Sequence, residues 1–360
     1  MSKFMLRALE LAKKSKGRTS PNPMVGAVIV RNGIIVGEGF HSRAGEYHAE
    51  IIAIEQAQDK ARGATLFVNL EPCCHYGKTP PCTDAIINAG IDEVHMAMLD
   101  PNPLVQGKGK RILEAAKIKT VVGECELEAQ KLNEIFCHWI KYKTPFVIAK
   151  FAMSLDGKIA TKTGHSRWIS SSESRLLSHK IRNEVDAILV GANTVKKDNP
   201  LLTTRLKNEQ VKHPIRVVLD SRSGLAWDSK IFSDELPGTT ILATTKKKHT
   251  SSNVEIIVLP ENENGVCLTS LLKELGEREI TSVLVEGGGS VLSSFFMQNR
   301  VNKVLAFIAP MIIGGEEAPT PVSGNGVNRI SEALALENLC MEKLTTDIII
   351  SGYCKREKNV

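Results

Sequence analysis

The sequence predicts two α/β domains in series. Three observations carry the prediction. The chain is 360 residues long with 42% apolar content, which fills two ordinary cores better than one. Helix-period and strand-period segments alternate along most of it. A polar break, Lys143-Thr144-Pro145, precedes a fresh series of strands, and it sets the domains at 1–143 and 146–360.

In the first domain Phe4, Ala8 and Leu11 fall at helical spacing within a basic, amphipathic opening from Met1 to Lys16. Glu10 interrupts the basic face, so a first helix is expected rather than a transit peptide. Ser20-Pro21-Asn22-Pro23 forms a turn. The apolar runs Val25 to Val30 and Ile34 to Val36 flank Asn32-Gly33, the signature of a β-hairpin. There follow a helix over His48 to Ala57, a strand over Thr65 to Leu70, a helix over Thr83 to Ala89 and a strand over Glu93 to Met98. A helix from Gly109 to Ala116, a short strand at Thr120 to Val122 and one long helix from Glu126 to Lys141 complete a layered sandwich.

The second domain opens with a strand, Phe146 to Phe151, a turn at Asp156-Gly157 and a helix, Ser172 to Asn183. Strands follow at Ala187 to Val190, Ile215 to Leu219, Thr240 to Ala243 and Glu255 to Val258. A helix from Leu268 to Leu275, a strand from Ser282 to Val285 and a helix after Gly287-Gly288-Gly289 end the series, which predicts a mostly parallel sheet.

Composition narrows the class of protein. A net charge of +6, with Lys+Arg 46 against Asp+Glu 40, suits anionic small molecules as well as nucleic acid and decides neither. Of eight cysteines, three crowd into residues 73 to 82 and five are scattered, with no secretory segment ahead of them, so a reducing cytoplasm is expected. No apolar run approaches the roughly 18 residues that span a bilayer.

The chemistry concentrates in His48-Ala49-Glu50, Glu71-Pro72-Cys73 and Cys82. One imidazole and two thiolates are the ligand set of a catalytic zinc site, which leaves a fourth position for a water whose pKa falls to about 7. Glu50, two residues beyond His48 on the same first helical turn, is close enough to take that water's proton and pass it to a departing nitrogen. Helix N-termini near His48 and Cys82 favour thiolate. Three ordinary buried cysteines, or a structural zinc knuckle, are the plainer alternatives. The His-Ala-Glu context argues against both, and Cys74 or His75, beside a ligand, would reach the same metal only under strain.

Residues 1 to about 143 resemble the cytidine-deaminase superfamily and, more narrowly, the deaminase half of the bacterial bifunctional riboflavin-biosynthesis deaminase/reductases. The spacing departs from the usual C-x-x-C, because Cys73-Cys74-His75-Tyr76-Gly77-Lys78-Thr79-Pro80-Pro81-Cys82 carries the inserted loop of that narrower family. Ser20 to Ala27 and Asp100-Pro101-Asn102-Pro103 match it as well. In the inserted loop Lys78 and Thr79 are placed to meet a substrate phosphate, while Asn22, His41 and His75 would read a pyrimidine edge.

In the second domain the strand Ser282 to Val285 runs into Glu286-Gly287-Gly288-Gly289-Ser290 and a helix. Bare backbone amides in such a turn can approach a phosphate, although a tight structural turn is the alternative; without G-x-G-x-x-G a standard Rossmann domain is not expected. Lys150 to Ala160, Ser166 to Ser170 and Gly191 to Arg205 resemble the reductase half of the same family, which implies a dihydrofolate-reductase-like fold. The resemblance implies NADPH contacts at Ala152, Trp168, Thr194, Asp198, Ser221 and the run Gly288, Gly289, Ser290, Val291, Leu292, Ser293, Ser294. It implies contacts to the phosphoribosylamino substrate at Ser166, Arg182, Leu202, Arg205 and Glu286. A planar guanidinium fork suits a phosphate monoester on charge and shape alone. Lys150 and Asp198 are candidates for protonating the sugar as hydride arrives.

The reading is a cytoplasmic enzyme of two active sites, with Zn2+ in the first and NADPH in the second. It deaminates a phosphoribosylaminopyrimidine hydrolytically and then reduces its ribosyl chain to ribityl. A homo-oligomer is expected, with neither nucleic acid nor membrane as partner. Its rivals are a zinc nucleoside or tRNA deaminase fused to a non-catalytic α/β domain, and a zinc-stabilised binding module.

Overall fold

The computed structural model describes residues 2–76, 80–103, 105–207, 210–221, 224–247, 254–263 and 265–355. The chain divides into two compact units, Met1–Thr144 and Pro145–Val360.

The first unit contains α1 (Lys3–Lys13), β1 (Gly26–Arg31), β2 (Ile34–Phe40), α2 (Ala49–Ala57), β3 (Thr65–Val68), α3 (Cys82–Ala89), β4 (Glu93–Met96), α4 (Lys108–Ala115), β5 (Lys119–Val122), α5 (Glu126–Leu132) and α6 (Glu134–Tyr142). Its sheet has the order β2-β1-β3-β4-β5. The strand β1 is antiparallel to both β2 and β3, while β3, β4 and β5 run parallel. Helix α1 packs on β1 and against α5, and α2, α3 and α4 pack in succession, giving a three-layer sandwich.

The placement of α2 matters for the site. Its buried stripe is Ala49, Ala53 and Ala57, at i, i+4 and i+8. Opposite them on β2 stand Gly37 and Gly39, and a Cβ on Gly39 would come within 2.2 Å of the Ala49 carbonyl oxygen. Small residues on both surfaces thus bring the helix backbone against the strand. Gly39→Ala is expected to push α2 outward and cost about 1–3 kcal/mol, read as a lower urea midpoint of the first unit.

The long helix expected over Glu126 to Lys141 is in fact two. Asn133 breaks it with φ −102° and ψ 22°, because its buried side chain is committed elsewhere. Its Oδ1 accepts from the Met24 amide at 2.8 Å and its Nδ2 donates to the Met24 carbonyl at 3.0 Å.

The second unit contains β6 (Phe146–Ser154), α7 (Ser172–Glu184), β7 (Ala187–Gly191), α8 (Ala192–Asp198), β8 (Ile215–Leu219), β9 (Thr240–Thr244), β10 (Val254–Val258), the two-residue strands β11 (Glu261–Asn262) and β12 (Gly265–Val266), and α9 (Leu268–Glu277). It continues with β13 (Ser282–Val285), α10 (Gly289–Met297), β14 (Lys303–Ala309), β15 (Leu336–Lys343) and β16 (Ile348–Cys354). Nine strands form one sheet in the order β10-β9-β8-β7-β13-β6-β14-β16-β15. The strands from β10 to β14 are parallel to their neighbours; β16 and β15 close the edge antiparallel.

Strands β14, β15 and β16, the two-residue strands β11 and β12 and the short α8 are additions to the elements expected from sequence. Lys303 to Ala309 lies between β6 and β16 and is mostly apolar, and a short apolar run of that kind does not by itself distinguish strand from helix. Strand β15 is exposed along nearly its whole length and offers no alternation to read.

Candidate metal centre and cofactor cavity

In the first unit three separate elements bring the predicted ligands together. His48 is the N-cap of α2, Cys82 is the first residue of α3, and Cys73 lies on the loop that follows β3. Their ligand atoms all fall within 4.8 Å of one another, and among the described residues no other group of three or more His, Cys, Asp or Glu does so. His48 Nδ1 is 3.2 Å from Cys82 Sγ and 3.5 Å from Cys73 Sγ. Bonds of about 2.0–2.3 Å to a shared zinc put tetrahedral neighbours roughly 3.5 Å apart, so the donor set fits that ion in size and in chemistry.

The electrostatics favour a deprotonated sulfur. Hydrogen bonds from Cys82 and His48 hold the Cys73 thiol well below its ordinary value, and the Cys82 amide also points at its Sγ at 3.3 Å. Glu50 is 3% exposed; burial, with the Cys73 sulfur adding to it, pushes its carboxyl up to about 7. A carboxyl poised there can both accept and return a proton near neutral pH.

His41 and Asn22 adjoin this centre. The His41 ring stands edge-on to His48, centroids 5.4 Å apart. His41 Nδ1 lies 3.1 Å from the Tyr47 carbonyl, which can only accept, so Nδ1 carries the proton and Nε2 accepts from Asn22 Nδ2 at 3.1 Å. Burial lowers the His41 pKa and keeps the ring neutral. His75 is exposed, and Lys78 and Thr79 lie outside the described residues.

The second unit holds a cavity of about 320 Å³ over the C-terminal ends of β7, β8 and β13. It is lined by six of the predicted cofactor residues: Thr194, Ser221, Gly288, Ser290, Val291 and Ser294. The remaining six, Ala152, Trp168, Asp198, Gly289, Leu292 and Ser293, do not line it. For α10 the reason is helical geometry. Ser290, Ser294 and Gln298 share one stripe at i, i+4 and i+8 and face the cavity, whereas Leu292 turns into the core and Ser293 packs near Gly324. Asp198 is exposed at the end of α8, and Trp168 is 68% exposed with the Arg175 guanidinium 4.5 Å from its ring.

Glycine shapes this cavity. A Cβ on Gly287 would stand 2.9 Å from the Gly191 amide and from Val190 Cα, so the turn after β13 sits directly on the end of β7. The Gly288 amide donates to Thr194 Oγ1 at 3.1 Å. Bare amides, hydroxyls and few large side chains suit the phosphates of a dinucleotide. Sequence reasoning missed Lys196, Asp220 and Gln298, which also line the space. Only the presence of α8 would have signalled Lys196.

Beside the end of β13 the structure gathers Lys150, Arg182, Arg205 and Glu286 with a residue not foreseen, His179. Arg182 Nε donates to Glu286 Oε1 at 3.1 Å and its Nη2 to Oε2 at 2.6 Å, a bidentate pair with side chains 13% and 10% exposed. Against burial, which pushes it up, Arg182 and Lys150 hold the Glu286 carboxyl at about 2. Burial and the two arginines press His179 down to about 4, and its Nδ1 accepts from the Arg205 amide at 3.3 Å. Burial also lowers Lys150. Leu202 takes φ +51° with its side chain buried, so it can offer a ligand little beyond backbone. Ser166 is half-buried.

A zinc-type donor set on a deaminase-like sandwich, followed by a largely parallel sheet with a cavity over its C-terminal strand ends, defines a deaminase joined to a reductase. The comparisons agree. Residues 1–98 match the cytidine and deoxycytidylate deaminase zinc-binding region, and residues 145–350 match the RibD C-terminal domain. Riboflavin biosynthesis protein RibD of Aquifex aeolicus is 44% identical over 96% of both chains, and that of Escherichia coli is 38% identical over 87% of this chain and 88% of its own. A solved deaminase/reductase of Thermotoga maritima superposes with a TM-score of 0.87 at 40% identity, covering 98% of each chain; Acinetobacter baumannii RibD gives 0.87 at 35%, also covering 98% of each. The chain belongs to the RibD family of bifunctional riboflavin-biosynthesis enzymes. Among the described residues no helix is long and apolar enough to cross a membrane.

Proposed function

We propose that residues 1–143 remove the 2-amino group of 2,5-diamino-6-(5-phosphoribosylamino)pyrimidin-4-one by hydrolysis, and that residues 146–360 reduce the ribosyl chain of the product to ribityl with NADPH. The observation that carries the first half is the convergence of His48 Nδ1, Cys73 Sγ and Cys82 Sγ beside a buried carboxyl, Glu50. His48, Cys73 and Cys82 would hold zinc, which supplies Lewis acidity and an acidified water. Glu50, buried beside the donor set, would accept a proton from the attacking water and return it to the leaving nitrogen. Asn22 and His41, already joined by a hydrogen bond, orient the pyrimidine edge, with His75, Lys78 and Thr79 on the loop between the cysteines.

In the second half the cofactor supplies hydride, and the chain's part is to bind and orient. Thr194, Ser221, Gly288, Ser290 and Ser294 receive its phosphates and riboses in the cavity. Arg182, Arg205 and Lys150 against the single Glu286 leave two positive charges, matched to a phosphate monoester. Lys150 sits within this cluster and is the proton donor we favour over the exposed Asp198. Scattered free cysteines support a reducing cytoplasm, and the exposed apolar residues Leu339 and Met341 on the edge strand β15 support self-association.

The test is an assay on the diaminopyrimidine phosphoriboside that follows ammonia and NADPH oxidation separately. One ammonia released and one NADPH oxidised per substrate are expected. Ammonia release with no NADPH consumption would instead favour a deaminase fused to a non-catalytic domain.

A further inference from the structure

The buried carboxylate of Glu71 has no part in the reaction as described so far. It is 3% exposed, and no lysine or arginine pairs with it among the described residues. Its charge is instead held by backbone: Oε2 accepts from the amides of Asp100 at 3.0 Å and Gly107 at 2.9 Å, and Oε1 from that of Lys110 at 2.9 Å. Gly107 is the N-cap of α4 and offers no side chain, so Glu71 caps that helix from outside. The approach is close, for a Cβ on Gly109 would lie 2.4 Å from the Pro72 carbonyl oxygen and 3.2 Å from Glu71 Cγ. The Glu71 amide in turn donates to the Met98 carbonyl at 3.0 Å, fixing the residue to the chain that leaves β4.

One proline separates this anchor from Cys73. Pro72 has a fixed φ and passes on little slack. On its other side Cys73 is tied to the start of α3, where the Thr83 amide donates to its carbonyl at 3.2 Å and the Cys82 amide points at its Sγ at 3.3 Å. Cys73 itself sits on a loop, so these two ties decide where its sulfur stands relative to His48 and Cys82.

We propose that Glu71 is a positioning residue for deamination: by clamping the first turn of α4 and the Asp100 segment with one carboxylate, it fixes Cys73 in the ligand set. The proposal rests on the metal-site reading above. Two substitutions in the full-length protein test it. Glu71→Gln turns one acceptor oxygen into a donor that faces amides, and Glu71→Asp keeps the charge but is a methylene too short for all three donors.

We expect Glu71→Gln to lower deamination kcat by about 10- to 100-fold with KM nearly unchanged, to speed zinc release to a chelator by a similar factor, and to leave reductase kcat/KM on the deaminated intermediate at the wild-type value. Glu71→Asp should recover part of the loss. Wild-type deamination and zinc release in Glu71→Gln would overturn the proposal. So would an equal loss in both activities, which would mark Glu71 as a general support of the fold. If Glu71→Gln is not recovered folded, Glu71→Asp decides by the same criteria. A wild-type protein that holds no zinc or releases no ammonia would refute the metal-site reading itself, a result separate from either outcome.

Discussion

Glu50→Gln is expected to lower ammonia release by about 10²–10⁴-fold in kcat while zinc content, folding and NADPH-dependent reduction stay at wild-type levels. The side chain keeps its size and its buried place on the first turn of α2, so packing against β2 is preserved. What disappears is the ability to accept a proton from water and return it. Elemental analysis and circular dichroism establish that the variant is intact, and ammonia production then reads the chemistry. An unchanged rate would assign the site to a structural role and revive the zinc-stabilised module.

Arg182→Ala should destabilise the second unit by about 3–5 kcal/mol, because it leaves Glu286 charged, buried and without its bidentate partner. Reduction should fall as well, because the charged cluster around Glu286 loses its central guanidinium, whereas deamination should persist. The acid response gives an independent check. In the wild type the Glu286 carboxyl sits at about 2, so its stabilisation is complete above the ordinary value of 4.5 and is lost as pH falls through 2. His179, held down to about 4, acts in the same direction: between 6.5 and 4 the unfolded chain takes up a proton that the folded chain refuses. Stability of the second unit should therefore decline steadily on acidification. In Arg182→Ala burial raises Glu286, and the decline between 4.5 and 2 should flatten. Denaturant midpoints measured across that range decide the matter.

The convergence of His48, Cys73 and Cys82 was legible in the sequence because the chemistry is carried by residue type. Histidine and cysteine at His48, Cys73 and Cys82 have few other reasons to occur in that context, and the structure brings them together. The lining of the cavity in the second unit was half legible. The glycine turn after β13 announced itself, but which residues of α10 face the cavity depends on helical rotation, and Lys196 depends on a seven-residue helix too short to show a period. The break between α5 and α6 was hidden for a different reason. Residues 126 to 141 are helix-compatible throughout, and what interrupts them is a contact with Met24, 109 positions away along the chain. His179 was passed over because a lone histidine on a charged helix resembles a solvated one until Arg182, Arg205 and Glu286 are seen around it.

That Asn133 contact bears on any attempt to separate the two activities by cutting the gene. The zinc-binding match ends at residue 98, yet the strut that fixes the backbone two residues beyond Asn22 comes from residue 133. A fragment trimmed to the matched region would keep all three sulfur and nitrogen donors and still lose the brace that holds the Met24 backbone beside Asn22. An N-terminal piece that keeps this contact has to include Asn133, and the compact unit itself extends to Thr144.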